Sequence, residues 1–151
     1  MQRRTFIKGS LAIGATGIAA GLLVPGSVLA DWNKAAFESK DIKAAMTAIA
    51  GGAGEASGDI KIKAPDIAEN GAVVPITVTS GVAGTESISI FAANNATPLT
   101  SSYTLGEGAE GYVSTRIKMG KTADVIALVK AGGKVYSAKK EVKVTIGGCG
   151  G

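Results

Sequence analysis

Hydrophobic residues change their spacing twice along this chain, and the changes divide it. Residues 9–30 form an uncharged run rich in Gly, Ala, Leu, Ile and Val. From Asp41 the apolar positions Ile42, Ala45, Met46 and Ile49 recur at i, i+3, i+4 and i+7, which puts them on one face of a helix. Asp41 is a suitable N-cap and Gly51 a suitable stop, so residues 31–50 read as an N-terminal helix whose packing surface Trp32, Ala36 and Phe37 extend. Residues 51–58, Gly-Gly-Ala-Gly-Glu-Ala-Ser-Gly, read as a hinge with no fixed structure.

Beyond the hinge the period becomes two. Ile60 and Ile62 alternate with Lys61 and Lys63, a turn over residues 65–71 is sharpest at Asn70-Gly71, and residues 72–79 form the next strand of a hairpin or of an arch between sheets. Pro75 cannot donate a ladder hydrogen bond, which predicts a sheet edge or a bulge there. Residues 87–92 follow, with Ile88 and Ile90 on one face. Residues 94–111 read as a long loop rich in hydroxyls, and residues 112–119 as a strand with Val113, Thr115 and Ile117 on one face. The nearly all-apolar residues 125–129 predict a central strand covered on both sides. Gly132-Gly133 turns the chain into residues 134–138, and residues 141–146 close the domain with Val142, Val144 and Ile146 inward. About seven short strands predict a mainly β fold: an immunoglobulin-like antiparallel β-sandwich over residues 59–146, preceded by a helix. Few aromatics and a proline-bearing edge predict a partner subunit that covers an edge or a face.

The ends of the chain alter this picture most. Arg3, Arg4, Phe6 and Lys8 precede the uncharged run, giving residues 1–30 the layout of a twin-arginine signal peptide cut after Ala30. The glycines in the run and Pro25 make it a poor membrane-spanning helix, so the mature protein is expected in the periplasm without a membrane anchor. Three of the 16 basic residues lie in this leader and all 12 acidic ones lie after it, so the mature domain is nearly neutral. That balance excludes nucleic acid and lipid surfaces as partners. There is no histidine, which removes the usual general base, the usual zinc ligand and any cysteine–histidine nucleophilic pair. The carboxylates are scattered, and no helix follows the terminal glycines to make a phosphate loop. We therefore expect a protein that is not an enzyme and that holds neither metal nor cofactor.

One group remains with chemistry to offer. Cys149, the sole cysteine, stands between Gly147-Gly148 and Gly150-Gly151, directly after the last predicted strand. It cannot form a disulfide within its own chain, and its glycine neighbours have no side chains to bury it. Ordering four glycines is entropically costly, so residues 147–151 are expected to form a swinging tail that carries the thiol about 10 Å beyond Ile146. No positive group adjoins it, so the isolated thiol is expected to be ordinary, its ionisation left to whichever protein receives it.

The segment Val142-Lys143-Val144-Thr145-Ile146-Gly147-Gly148-Cys149-Gly150-Gly151 resembles the carboxyl terminus of the SoxY family, sulfur-carrier subunits of the bacterial thiosulfate-oxidising (Sox) system. Ala68-Glu69-Asn70-Gly71 running to Val74-Pro75, Ser114-Thr115-Arg116-Ile117-Lys118 and the leader agree with it. Asn94-Asn95-Ala96-Thr97-Pro98 departs from it, where an Asn-Pro loop is expected. The resemblance implies a periplasmic carrier bound to a SoxZ subunit as a heterodimer, with sulfur compounds held covalently on Cys149. A haem enzyme would load thiosulfate as an S-thiosulfonate, a dimanganese hydrolase would release sulfate, and a molybdenum and haem enzyme would oxidise the remaining sulfur; those cofactors belong to the partners. Two alternatives stand beside it: a ubiquitin-like carrier whose terminal Gly-Gly carboxylate is the reactive group, and a non-catalytic scaffold whose cysteine only links dimers.

Overall fold

The computed structural model describes residues 32–145. The leader residues Arg3, Arg4, Phe6 and Lys8 and the tail residues Gly147, Gly148, Cys149, Gly150 and Gly151 lie outside the described residues.

Two helices, rather than the single one expected, open the described chain: α1 (Lys34–Glu38) and α2 (Ile42–Ala50). The break falls at Ser39, whose backbone is extended and whose hydroxyl donates to the carbonyl of Asp41 (2.9 Å). Short polar side chains that bond nearby backbone compete with helix continuation, and a 3.6-residue periodicity does not reveal this. Asn33 caps α1 by accepting from the Ala36 amide (3.0 Å), and its side-chain amide donates to Ala48 (2.7 Å), tying α1 to α2. The predicted caps of α2 hold: Asp41 accepts from the Ala44 amide (2.8 Å), and Gly51, at φ 84°, donates to Thr47 (2.9 Å). Ala45 and Met46 are buried, with Ile42 and Ile49 packed beside them.

Nine strands follow among the described residues: β1 (Glu55–Ala56), β2 (Ile60–Lys63), β3 (Ile67–Ala68), β4 (Val74–Ser80), β5 (Thr85–Ala92), β6 (Leu99–Thr104), β7 (Tyr112–Ile117), β8 (Ala123–Ala131) and β9 (Lys134–Val144). The larger sheet runs β1-β9-β8-β5-β6, with β3 also pairing β9; the smaller runs β2-β4-β7. Because strand side chains alternate, the larger sheet has two apolar faces. Ile88, Ile90, Val125, Ala127, Val129 and Val142 face the smaller sheet and share a core with its Val74, Ile76, Val78, Val113 and Ile117. Phe91, Leu99 and Leu128 point the other way, onto Ala36, Ala45 and Met46 of the helices. The described residues thus form three layers, and β8, at the centre of the larger sheet, is covered on both sides as its unbroken apolar run predicts.

Several expectations are corrected. Residues 51–58 are not without structure: Glu55 and Ala56 pair in parallel with Tyr136 and Ser137 of β9, and the Ser57 amide donates to Ser137 (2.9 Å). At Gly54, φ 72°, a Cβ would stand 2.9 Å from the Val135 carbonyl oxygen, so glycine here serves close approach to β9. The loop over residues 94–111 contains β6, paired antiparallel with β5; Thr, Ser and Tyr suit a strand as well as a loop. β4, which carries Pro75, is the middle strand of its sheet, not an edge. β2 reaches only to Thr77, so Pro75 is paired on the β7 side alone, opposite Arg116. The two strands expected over residues 134–146 are one, β9. The Gly132-Gly133 turn holds, with φ 56° and 75°, the positive pair that a two-residue hairpin between Ala131 and Lys134 requires.

Candidate functional site

Thr145 is the last described residue, and the end of β9 that leads to it forms a root fastened on both sides. On one side β3 runs parallel to the end of β9: the Lys143 amide donates to Asp66 (3.0 Å) and the Thr145 amide to Ala68 (3.1 Å). On the other side the Val144 amide donates to Thr122 Oγ1 (2.9 Å). Lys140 Nζ anchors the approach to β3 by donating to the Ala64 carbonyl (2.7 Å) and pairing with Asp66 (3.0 Å).

A turn backs this root. Asn70 Oδ1 accepts from the Ala72 amide (3.0 Å), bending the chain so that the Gly71 carbonyl accepts from the Met119 amide (2.7 Å). A Cβ at Gly71 would collide with the Met119 carbonyl oxygen and stand 2.9 Å from Val144 Cγ1. The motif Ala68-Glu69-Asn70-Gly71 is therefore the brace of the root. Beside it Ile67 and Val73 remain exposed.

A second loop closes the same end. Asn94 Nδ2 donates to the Thr122 carbonyl (2.7 Å), Asn95 Nδ2 donates to the Lys118 carbonyl (2.7 Å), and the Gly120 amide donates to Asn95 Oδ1 (3.1 Å). The departure at residues 94–98 is thus fixed to residues 118–122, and through Thr122 to the root. Sequence reasoning missed Thr122, Asn94 and Asn95, for none of them carries a local signal of the partner it finds more than twenty residues away.

Two adjoining clefts flank these loops, of about 300 Å³ and about 490 Å³. Both are lined by Asn95, Thr97 and Lys118; Arg116 adds a cation to the smaller and Lys121 one to the larger. Neither lining includes a carboxylate. Among the described residues there is no cluster of three or more metal-ligating side chains, and no helix is long and apolar enough to cross a membrane. The predicted attachment residue Cys149 and its glycines lie beyond Thr145, outside the described residues; the structure describes the end of β9 that precedes them.

The comparisons decide what the platform is. The family model described as sulfur oxidation protein SoxY matches residues 46–149. The chain belongs to the SoxY family. Among solved structures, the sulfur carrier protein SoxY from Chlorobium limicola f thiosulfatophilum is 45% identical over 68% of this chain and 94% of its own, with a TM-score of 0.61. A superoxide reductase (neelaredoxin) from Ignicoccus hospitalis, 19% identical over 57% of this chain and 80% of its own at a TM-score of 0.50, shares the fold alone. No curated protein sequence matches. The SoxY match runs from the end of α2 through Cys149, so it takes in the braced root and Cys149 together.

Proposed function

We propose that this protein is a periplasmic sulfur carrier of thiosulfate oxidation, exported by the twin-arginine route, in which Cys149 holds sulfur intermediates covalently while separate enzymes act on them. The observation that carries the reading is the extent of the SoxY match, which reaches Cys149 itself. The braced root supports it. Lys143, Val144 and Thr145 each give a backbone hydrogen bond to a fixed partner, so enzymes visiting the arm meet it at a defined exit from the sheet. The glycines 147, 148, 150 and 151 give the thiol a support without side chains, narrow enough to enter several active sites. The proposal includes an immunoglobulin-like character for the two-sheet domain and a SoxZ partner. Exposed Ile67 and Val73 beside the root offer apolar surface for such a subunit to cover.

The chemistry asked of this chain is modest: a thiolate that forms and breaks one bond to sulfur. The haem, dimanganese and molybdenum enzymes supply the rest. Intact-mass measurement after incubation with thiosulfate and the loading enzyme tests the reading. Mass added at Cys149, lost in Cys149→Ala together with thiosulfate-dependent respiration, is the expected result. Mass added at the Gly151 carboxylate would transfer the reading to the ubiquitin-like class. Respiration unchanged in Cys149→Ala, with only a covalent dimer lost, would make the protein a scaffold.

A further inference from the structure

The two clefts beside the arm root have a composition that the carrier reading does not require. Arg116, Lys118 and Lys121 line them, no carboxylate does, and none of the three cations is in an ion pair among the described residues. Polar donors stand between the charges: Asn95 and Thr97 line both clefts, and Ser101 Oγ, on a wall of the smaller, is shielded from solvent without a hydrogen-bond partner. Cations left unpaired around a concave surface with no carboxylate among them suit an anion.

Position selects which anion. Thr122, which accepts the Val144 amide at the root, gives its own carbonyl to Asn94, and Asn94 and the neighbouring Lys121 both line the larger cleft. The wall of that cleft therefore lies within a residue or two of the place where the arm begins. Cys149 is four residues past Thr145, a reach of roughly 13 Å when extended. The cleft is within the compass of the arm.

We propose that these clefts form an oxyanion site that receives, in cis, the sulfonate end of the cargo on Cys149. This rests on the carrier reading and adds a resting position to it: a thiosulfonate group, –S–SO₃⁻, presents three acceptor oxygens and one negative charge to Arg116, Lys118 and Lys121. The contact is exposed and screened by salt, so it holds the charged intermediate between encounters and releases it to an enzyme. Cargo that has lost its sulfonate has lost the three acceptor oxygens and is held less well.

Chemical loading of the full-length mature protein tests this without the Sox enzymes. With tetrathionate, the Cys149 thiolate attacks a central sulfur; a new S–S bond forms, one in tetrathionate breaks, thiosulfate leaves with the electron pair, and the thiol proton passes to solvent. The product carries S-thiosulfonate on Cys149. Heteronuclear NMR then follows the backbone amides of Asn95, Lys118 and Gly120. Loading is expected to shift them while Gly108 and Gly132 at the opposite end stay still, and high salt should reverse the shift. In Arg116→Gln/Lys118→Gln/Lys121→Gln the shift should vanish; Lys118→Gln alone, at an exposed position, should reduce it if the triple variant folds poorly. Free sulfate added to unloaded Cys149→Ser distinguishes the two sources of the same chemistry. Shifts from free sulfate with none on loading would overturn the proposal, as would shifts that survive in the triple variant. Failure of the carrier reading is separable: it shows as intact respiration in Cys149→Ala, whatever the loaded protein does in the spectrometer.

Discussion

The β4–β7 ladder is closed at both ends by the same device. At one end the Gly71 carbonyl accepts from the Met119 amide at 2.7 Å; at the other the Gly111 carbonyl accepts from Ser80 at 2.6 Å. Each glycine sits where a Cβ would strike its partner's carbonyl oxygen, Met119 in the first case and Ser80, at 2.7 Å, in the second. What differs is the surroundings. The Gly71 end carries the exit of β9 and clefts lined by Arg116, Lys118 and Lys121. The Gly111 end holds a cleft lined by Glu86 and Glu107 with no base, and there the chain turns back into the sheets through residues 81–84, residues 105–111 and the Gly132-Gly133 hairpin. Equivalent backbone engineering thus serves stability at both ends, while charge and the end of β9 set one apart.

That contrast can be broken or sharpened in order of effect. Phe91→Ala, which empties the fully buried centre of the helix-facing core, should destabilise both ends alike by about 3–5 kcal/mol in denaturant unfolding. A cost near zero would mean that the helices contribute no packing to the sheet. Gly71→Ala and Gly111→Ala should each cost about 1–3 kcal/mol, because backbone must move to admit the methyl group. Their consequences should part company in thiosulfate-dependent respiration, which only Gly71→Ala lowers beyond what its stability loss explains. Equal losses in the pair would erase the functional asymmetry. Thr122→Val removes the acceptor of the Val144 amide and should cost about 1 kcal/mol, seen chiefly as faster amide exchange at Val144 rather than as a lower melting temperature. Last, Lys139→Met breaks a largely exposed pair with Asp124 and should change stability by less than about 1 kcal/mol.

Much of the layered core was open to reading from the chain. The caps Asp41 and Gly51, the Asn70-Gly71 and Gly132-Gly133 turns, and the buried run of β8 are local signals: each depends on a side chain or φ angle within a few residues. Ser39, which splits the helix, was also local but was outweighed by the apolar periodicity around it. The short strands β1 and β3 were not readable, since a two-residue strand has no period and exists only because β9 offers it an edge. β6 was hidden for a related reason. Its hydroxyl-rich sequence suits loop or strand, and pairing with β5 decides between them.

The site divides along the same line. Cys149 and its four glycines were evident at once, because a lone thiol without neighbouring side chains is a statement of composition and order. The brace beneath them was not. Thr122 meets Val144 across 22 positions and Asn95 meets Lys118 across 23, and contacts at that separation arise only when the ends of β5, β7 and β9 and the start of β8 are brought to one end of the two sheets. Sequence by itself therefore determined the central strand and singled out Cys149 as the candidate reactive group, both from consecutive residues. Only the tertiary structure decided what fastens the end of β9 and which cations gather beside it, because long-range pairing brings separate stretches to one end of the sheets.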